Sequence, residues 1–147
     1  MSRRIDERVE IGHVHLKVSD LERSIAFYAG VLGFRIQQRW GAAAAFLGAG
    51  ERYNQIILNA LDGAGTEPAG RSGALYQFAI RYPDRPSLGD ALRRLQAASV
   101  PIDGATDLGV GEAIYVRDPD GHGVELYRER PKHEWPRAAD GSPQIIS

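Results

Sequence analysis

Two histidines stand two positions apart in a stretch that alternates in polarity. Across Ile11–Val18, Val14, Leu16 and Val18 fall on one side and His13, His15 and Lys17 on the other. That is the period of a strand with one buried face. Two imidazoles on one face, about 6.6 Å apart along such a strand, can ligate a metal or accept a proton. Other polar side chains recur in the same setting. Gln55 opposes Ile56, Gln77 opposes Tyr76 and Phe78, and Glu125 opposes Val124 and Leu126. Tyr115 precedes Glu125 by ten residues, on the neighbouring strand of a hairpin. A phenol so placed can donate to, or accept from, a bound oxygen. Lys17, Asn59, Arg81 and Arg117 share the same inferred face and could neutralise a carboxylate or enolate. For Arg81 and Arg117 the competing assignment is pairing with Asp84 and Asp118. Tyr127 and Trp40 offer stacking surfaces. His122 is expected as an exposed turn residue, and His133 as exposed or at a dimer contact.

Composition removes several other chemistries. The chain has no Cys, which excludes a thiol nucleophile, a Cys zinc site and an iron–sulfur cluster. Gly48-Ala-Gly50 is too short for a phosphate loop and no helix follows it. No Ser sits in a nucleophile elbow. Eighteen Lys and Arg against nineteen Asp and Glu leave a net charge of −1 over 147 residues. Binding driven by phosphate neutralisation is not expected, so nucleic acid is set aside as a partner. No apolar run approaches the roughly 18 residues of a membrane span. The charged residues 1–10 read as a solvated leader, and a cytoplasmic protein is the expectation.

The elements that must position these residues repeat. Ser19-Asp20-Leu21-Glu22 has the pattern of a capping box opening a helix. Leu21, Ile25, Tyr28 and Leu32 lie on one helical stripe, and Gly33 sits at the C-cap. Strands are expected at Phe34–Trp40, Ala43–Leu47 and Asn54–Asn59. After a Gly-rich linker, 62–73, the order restarts. A strand at Tyr76–Tyr82 and a helix at Ser87–Ser99 lead to strands at Ala113–Arg117 and Val124–Arg128. The turn Asp118-Pro-Asp-Gly-His-Gly123 joins the last two. His13 falls onto Gln77 at a period of about 64 residues. The expected fold is α+β, one domain at 11–130 built from a module at 11–61 and another at 74–130, with a polar tail at 131–147. Each sheet would carry a helix on one face, and the free faces would curl around a cleft.

The end segments resemble a known family. His13-Val-His-Leu-Lys-Val-Ser-Asp-Leu-Glu-Arg-Ser-Ile-Ala-Phe-Tyr28, with Val31-Leu-Gly-Phe34, is similar to the opening of vicinal oxygen chelate proteins. That superfamily contains glyoxalases, bleomycin-resistance proteins and extradiol dioxygenases. Asp118-Pro-Asp-Gly-His-Gly-Val-Glu-Leu-Tyr127 resembles its closing hairpin. Arg130-Pro-Lys-His-Glu-Trp-Pro136 resembles the catechol 2,3-dioxygenase-like branch. The resemblance implies paired βαβββ modules forming a curved mixed sheet around a cleft. It also implies a divalent metal (Fe, Mn, Ni, Co, Mg or Zn) on His13, Gln55, Gln77 and Glu125. Tyr115, Glu125 and His15 would be catalytic, and Arg81, Arg117, Asn59 and Tyr127 would meet the substrate. The branch commonly carries His where this chain has Gln77, and often where it has Gln55. An iron(II) site of two His and one carboxylate is then one His short.

Two functions are therefore carried forward. One is a metal-dependent dioxygenase- or lyase-type enzyme acting on a small aromatic or vicinal-oxygen substrate. The other is a metal-free, antibiotic-sequestering binder with no cofactor. A third reading is a degenerate member whose main role is protein association, marked by a cleft filled by its own side chains or by the Trp135 tail. By resemblance a homodimer is expected, with a small-molecule ligand and neither nucleic acid nor membrane as partner.

Overall fold

The computed structural model describes residues 4–61 and 74–146. The expected linker at 62–73 lies outside the described residues, as do the first three residues of the leader. Alternating burial builds the first strand, β1 (Val14–Val18), where Leu16 and Val18 are buried while His15 and Lys17 are exposed. Helix α1 (Leu21–Ile25) continues into a π-helical stretch, Ala26–Val31. Its cap is Asp20, which accepts from the Arg23 N–H, and not Ser19 of the expected capping box. Ser19 is engaged elsewhere: its N–H and hydroxyl both donate to Asp120. The stripe Leu21, Ile25, Tyr28 and Leu32 is buried as its spacing requires, and Gly33 closes the helix at φ +89°.

Strands β2 (Arg35–Trp40), β3 (Ala44–Gly48) and β4 (Ile56–Ala60) complete the first sheet, in the order β1-β4-β3-β2. The second sheet repeats it. Strand β5 (Phe78–Tyr82), helix α2 (Arg85–Ala97), β6 (Gly104–Asp107), β7 (Gly111–Arg117) and β8 (Gly123–Glu129) give the order β5-β8-β7-β6. In each sheet the first and last strands pair in parallel and the rest are antiparallel. Helix α2 starts two residues before the expected Ser87, because Asp84 caps it and Pro86 suits the first turn. Strand β6 carries no sequence signal; Gly104-Ala-Thr-Asp becomes a strand by pairing along β7.

One apolar core spans both halves. Leu16, Val18, Leu47 and Leu58 of the first sheet join Val116, Val124 and Leu126 of the second and Leu95 of helix α2. Tyr28 is fully buried, edge-on to Phe27 at 4.9 Å and near Phe78 at 6.3 Å.

The β7–β8 turn fastens the halves together. Asp118 is buried and accepts from the Tyr28 hydroxyl at 2.7 Å and from the N–H groups of Asp120 and His122 at 2.9 Å. Burial pushes the Asp118 carboxyl upward against those bonds. Burial, and then the Asp118 charge, pushes the Tyr28 phenol far above its ordinary range. Sequence reasoning placed His122 at the surface; the structure buries it at 3% exposure. Its Nδ1 accepts from the Leu75 N–H at 2.7 Å, so the ring proton sits on Nε2 and faces the Lys17 carbonyl at 3.0 Å. A ring with both nitrogens satisfied costs little to bury, and that is why this turn residue lies inside.

The bond between Tyr28 and Asp118 should carry measurable stability. Tyr28→Phe leaves a buried carboxylate short of one donor, at a cost of about 1–3 kcal/mol. Calorimetry should show Tm falling by roughly 2–4 °C for each kcal/mol in a chain of this size. An unchanged Tm would mean that this contact does not hold the halves.

Candidate functional site

The second sheet assembles the compact part of the site. Pairing of β7 with β8 sets Tyr115 opposite Glu125, and pairing of β5 with β8 sets Ala79 beside Glu125 and Arg81 beside Tyr127. Side chains at these positions leave the sheet on the face away from Val124 and Leu126, which are buried. Glu125 stands between two donors there. The Gln77 Nε2 group donates to its Oε2 at 3.0 Å, and the Tyr115 hydroxyl lies 3.4 Å from its Oε1. Among the described residues no Lys, Arg or His forms an ion pair with Glu125, although twelve other carboxylate pairings with Arg and one with His occur. Partial burial, then the Glu125 charge and hydrogen bond, raise the Tyr115 phenol above its ordinary value. Tyr127 is raised in the same way, by burial first and then by Glu129.

The first sheet holds the remaining predicted residues in a different arrangement. His13 precedes β1 and is exposed. The backbone beside it is fixed where the Val14 N–H donates to the Gln55 carbonyl. His15 Nε2 lies 2.6 Å from Asn59 Oδ1, so that nitrogen carries the proton and Nδ1 is left as the acceptor. Gln55 is occupied: its Oε1 accepts from the Ala49 N–H at 2.7 Å and clamps the β3–β4 turn. No hydrogen bond joins His13 or Gln55 to the group of Gln77, Tyr115 and Glu125 among the described residues. Nor do three His, Asp or Glu side chains gather around one point there.

The arginines found other partners than those weighed. Arg81 faces Glu129 at 3.8 Å and Arg117 faces Asp103 at 3.3 Å. Asp84 is taken by the α2 cap and Asp118 is buried under Tyr28. Trp40 lies on the outermost strand, 59% exposed and edge-on to Phe46. His133 is exposed near Glu134.

Two hollows flank Glu125. One, of about 510 Å³, includes Gln77, Tyr115, Arg117 and Asp103. The other, of about 260 Å³, includes Ala79, Ala113, Glu125, Tyr127 and Trp135. The sequence reading weighed the Trp135 tail only as a filler of the cleft; here Trp135 lines one side of the hollow. The tail folds back on the second sheet, with the Ile146 N–H donating to the Leu108 carbonyl. The Asp140-Gly-Ser turn was the available signal.

Donor chemistry is a partial fit to a divalent metal. Glu125 is a carboxylate with no cation paired to it among the described residues, and Gln77 could add an amide oxygen if its amide turned about. His13 offers an imidazole from the other sheet. The oxygen of Gln55 is committed to Ala49.

Residues 10–126 match the model of the Glyoxalase/Bleomycin resistance protein/Dioxygenase superfamily. The chain belongs to that superfamily. It is 39% identical over 138 residues to a catechol-2,3-dioxygenase of Bacillus subtilis, covering 94% of this chain. This superfamily member spans about half, 48%, of that relative's length. It is 25% identical to a probable lactoylglutathione lyase of Vibrio cholerae, over 82% of this chain and 91% of the relative. A glyoxylase/bleomycin resistance protein/dioxygenase domain from Frankia sp. EAN1pec superposes with a TM-score of 0.68 at 26% identity, covering 83% and 98% of the two chains.

The Tyr115 titration tests the geometry around Glu125. The absorbance change near 295 nm that is lost in Tyr115→Phe should have its midpoint above the ordinary tyrosine value of about 10. In Glu125→Gln the negative charge is gone, and the midpoint should move down toward that value. No movement would mean that Glu125 does not act on the phenol.

Proposed function

We propose that this superfamily member binds a small aromatic or vicinal-oxygen compound against the open face of the second sheet, with Glu125 at its centre, and acts on it with the help of a divalent metal. The observation that carries the reading is the position of Glu125. It is a half-buried carboxylate with no cationic partner among the described residues, held between an amide and a phenol. Such a group is stabilised by a metal or by a ligand that brings donors. His13, Gln77 and Glu125 are the residues that would hold the metal. Gln55 could join only by leaving the Ala49 N–H. When bound, the metal would supply Lewis-acid polarisation of two adjacent substrate oxygens.

The chain's own groups then have defined tasks. Tyr115, a phenol that burial and Glu125 raise further above its ordinary value, donates a hydrogen bond to a substrate oxygen in place of Glu125. His15 has a free Nδ1 acceptor and suits proton uptake. Asn59 fixes its tautomer. Arg81 and Arg117, on the rim, attract an anionic substituent at a distance, each shared with a carboxylate. A homodimer belongs to this proposal. The open face of the first sheet carries Lys17, and that of the second carries Glu125 beside the Arg81–Glu129 pair. Lys17 of one copy would complement Glu125 of the other.

The metal-free binding reading has one observation of its own. Gln55 Oε1 is already satisfied, and Gln77 turns its N–H group toward Glu125. Both amides are at rest without a metal.

Metal content separates the two readings. Tag-free protein is loaded in turn with Fe²⁺, Mn²⁺, Ni²⁺ and Zn²⁺ and analysed by mass spectrometry. About one equivalent per chain is expected, lost in both His13→Ala and Glu125→Ala, as expected when one ligand of a weak set is removed. No retained metal under any loading would overturn the enzymatic proposal and leave the binder.

A further inference from the structure

The pocket between Tyr127 and Trp135 is built partly by residues outside the superfamily match, which ends at residue 126. From Arg130 onward the chain folds back as a fixed wall. The Arg130 N–H donates to the Val110 carbonyl at 2.8 Å, and the Ile146 N–H to the Leu108 carbonyl at 2.9 Å. Gly109, at φ +76°, lies so close under the tail that an added Cβ would meet Ile146 and Pro136 at 2.7 Å. Within this wall the indole N–H of Trp135 donates to the Arg130 carbonyl at 2.6 Å. The indole has spent its only donor, so what it offers the pocket is its apolar surface.

Opposite the indole the floor is cut short. Ala79 and Ala113 carry a single methyl each at the sheet positions beside Glu125 and Tyr127. The space left is about 260 Å³. An apolar cavity of about 150 Å³ admits benzene, so this one suits a single substituted ring. The charged groups lining it are all acidic: Glu125, Glu129 and Glu112. Glu129 is offset by Arg81, and Glu112 by Arg85, Arg128 and Arg130. Glu125 alone keeps its charge turned to the pocket.

We infer that Trp135 is a ligand-contacting, specificity-determining residue. With Tyr127 it encloses one uncharged aromatic ring whose O–H donates to Glu125; a ring that brings its carboxylate into the pocket against Glu125 is rejected, anionic substituents being met only outside it, at the Arg81 and Arg117 rim. The inference rests on the proposed use of the second sheet's open face, but it requires no metal.

The test uses full-length protein with Trp40→Phe, which leaves Trp135 as the sole tryptophan. 4-Methylphenol and benzoate are titrated against it after chelation of metals, by fluorescence and by calorimetry. A saturable change in Trp135 emission with 4-methylphenol is expected, with benzoate at least tenfold weaker. Trp135→Ala, read by calorimetry, should weaken 4-methylphenol at least tenfold, while Trp135→Phe keeps most of the affinity. The phenylalanine variant guards against a general loss of the tail. If 4-methylphenol binds, is weakened by Tyr127→Ala, and is indifferent to Trp135→Ala, the role of the tail is overturned and the open-face reading stands. Equal affinity for benzoate overturns the charge selectivity. If neither compound binds, the inference falls, while the metal-content measurement judges the enzymatic proposal separately.

Discussion

Burying the Asp118 carboxylate is the constraint on which the rest of this structure depends. A charge inside an apolar core is tolerable only when donors surround it. Asp118 obtains them from its own turn and from Tyr28 of the opposite half. Around it, Asp120 takes the Ser19 N–H and hydroxyl, and His122 takes the Lys17 carbonyl and the Leu75 N–H. The same turn therefore fixes the end of β1, the start of α1 and the approach to β5. Glu125 sits two residues after its last glycine. A tightly held turn at one end of β8 is what gives Glu125 and Tyr127 a defined position at the other side of the sheet.

Much of this was legible in the sequence, for a simple reason. A sheet covered on one face only must alternate, so the polar members of each strand could be sorted onto one side without knowing the pairing. Parallel pairing of the first and last strand in each half then brought Gln77 beside Glu125, as the alternation required. Hydrophobic spacing gave the helices, although it left their first residues open by one or two positions. Ser19 illustrates why: its side chain has a stronger use in the other half than as a cap.

What was not legible depended on contacts far along the chain. His122 looked like a turn residue, and turn residues are usually wet. Its partner, the Lys17 carbonyl, is 105 residues away, and no local pattern announces it. Gln55 read as a cleft-facing ligand candidate on a strand, yet a backbone N–H six residues earlier had claimed its oxygen. Arg81 chose Glu129 of the neighbouring strand, and Arg117 chose Asp103 just before β6, over acids nearby in sequence. The tail read only as polar, because its docking uses backbone hydrogen bonds and one glycine, neither of which shows as hydropathy.

The span of the contacts also orders the assembly of the molecule. Within the first half, β1 meets β4 between Val14 and Ile56, and in the second β5 meets β8 between Phe78 and Val124. Joining the halves requires closure over much longer stretches, with separations of 101 for Ser19 and Asp120 and 90 for Tyr28 and Asp118. Loop-closure entropy grows with such distances, and contacts of high sequence separation are the ones that slow folding. The two halves can each close their own strands before the turn at 118–122 locks. Until it does, Leu16, Val18, Val124 and Leu126 have lost part of their cover. The fastening turn is thus a kinetic device as well as a static one: its arrival ends the interval in which a half-assembled chain shows apolar surface to its neighbours.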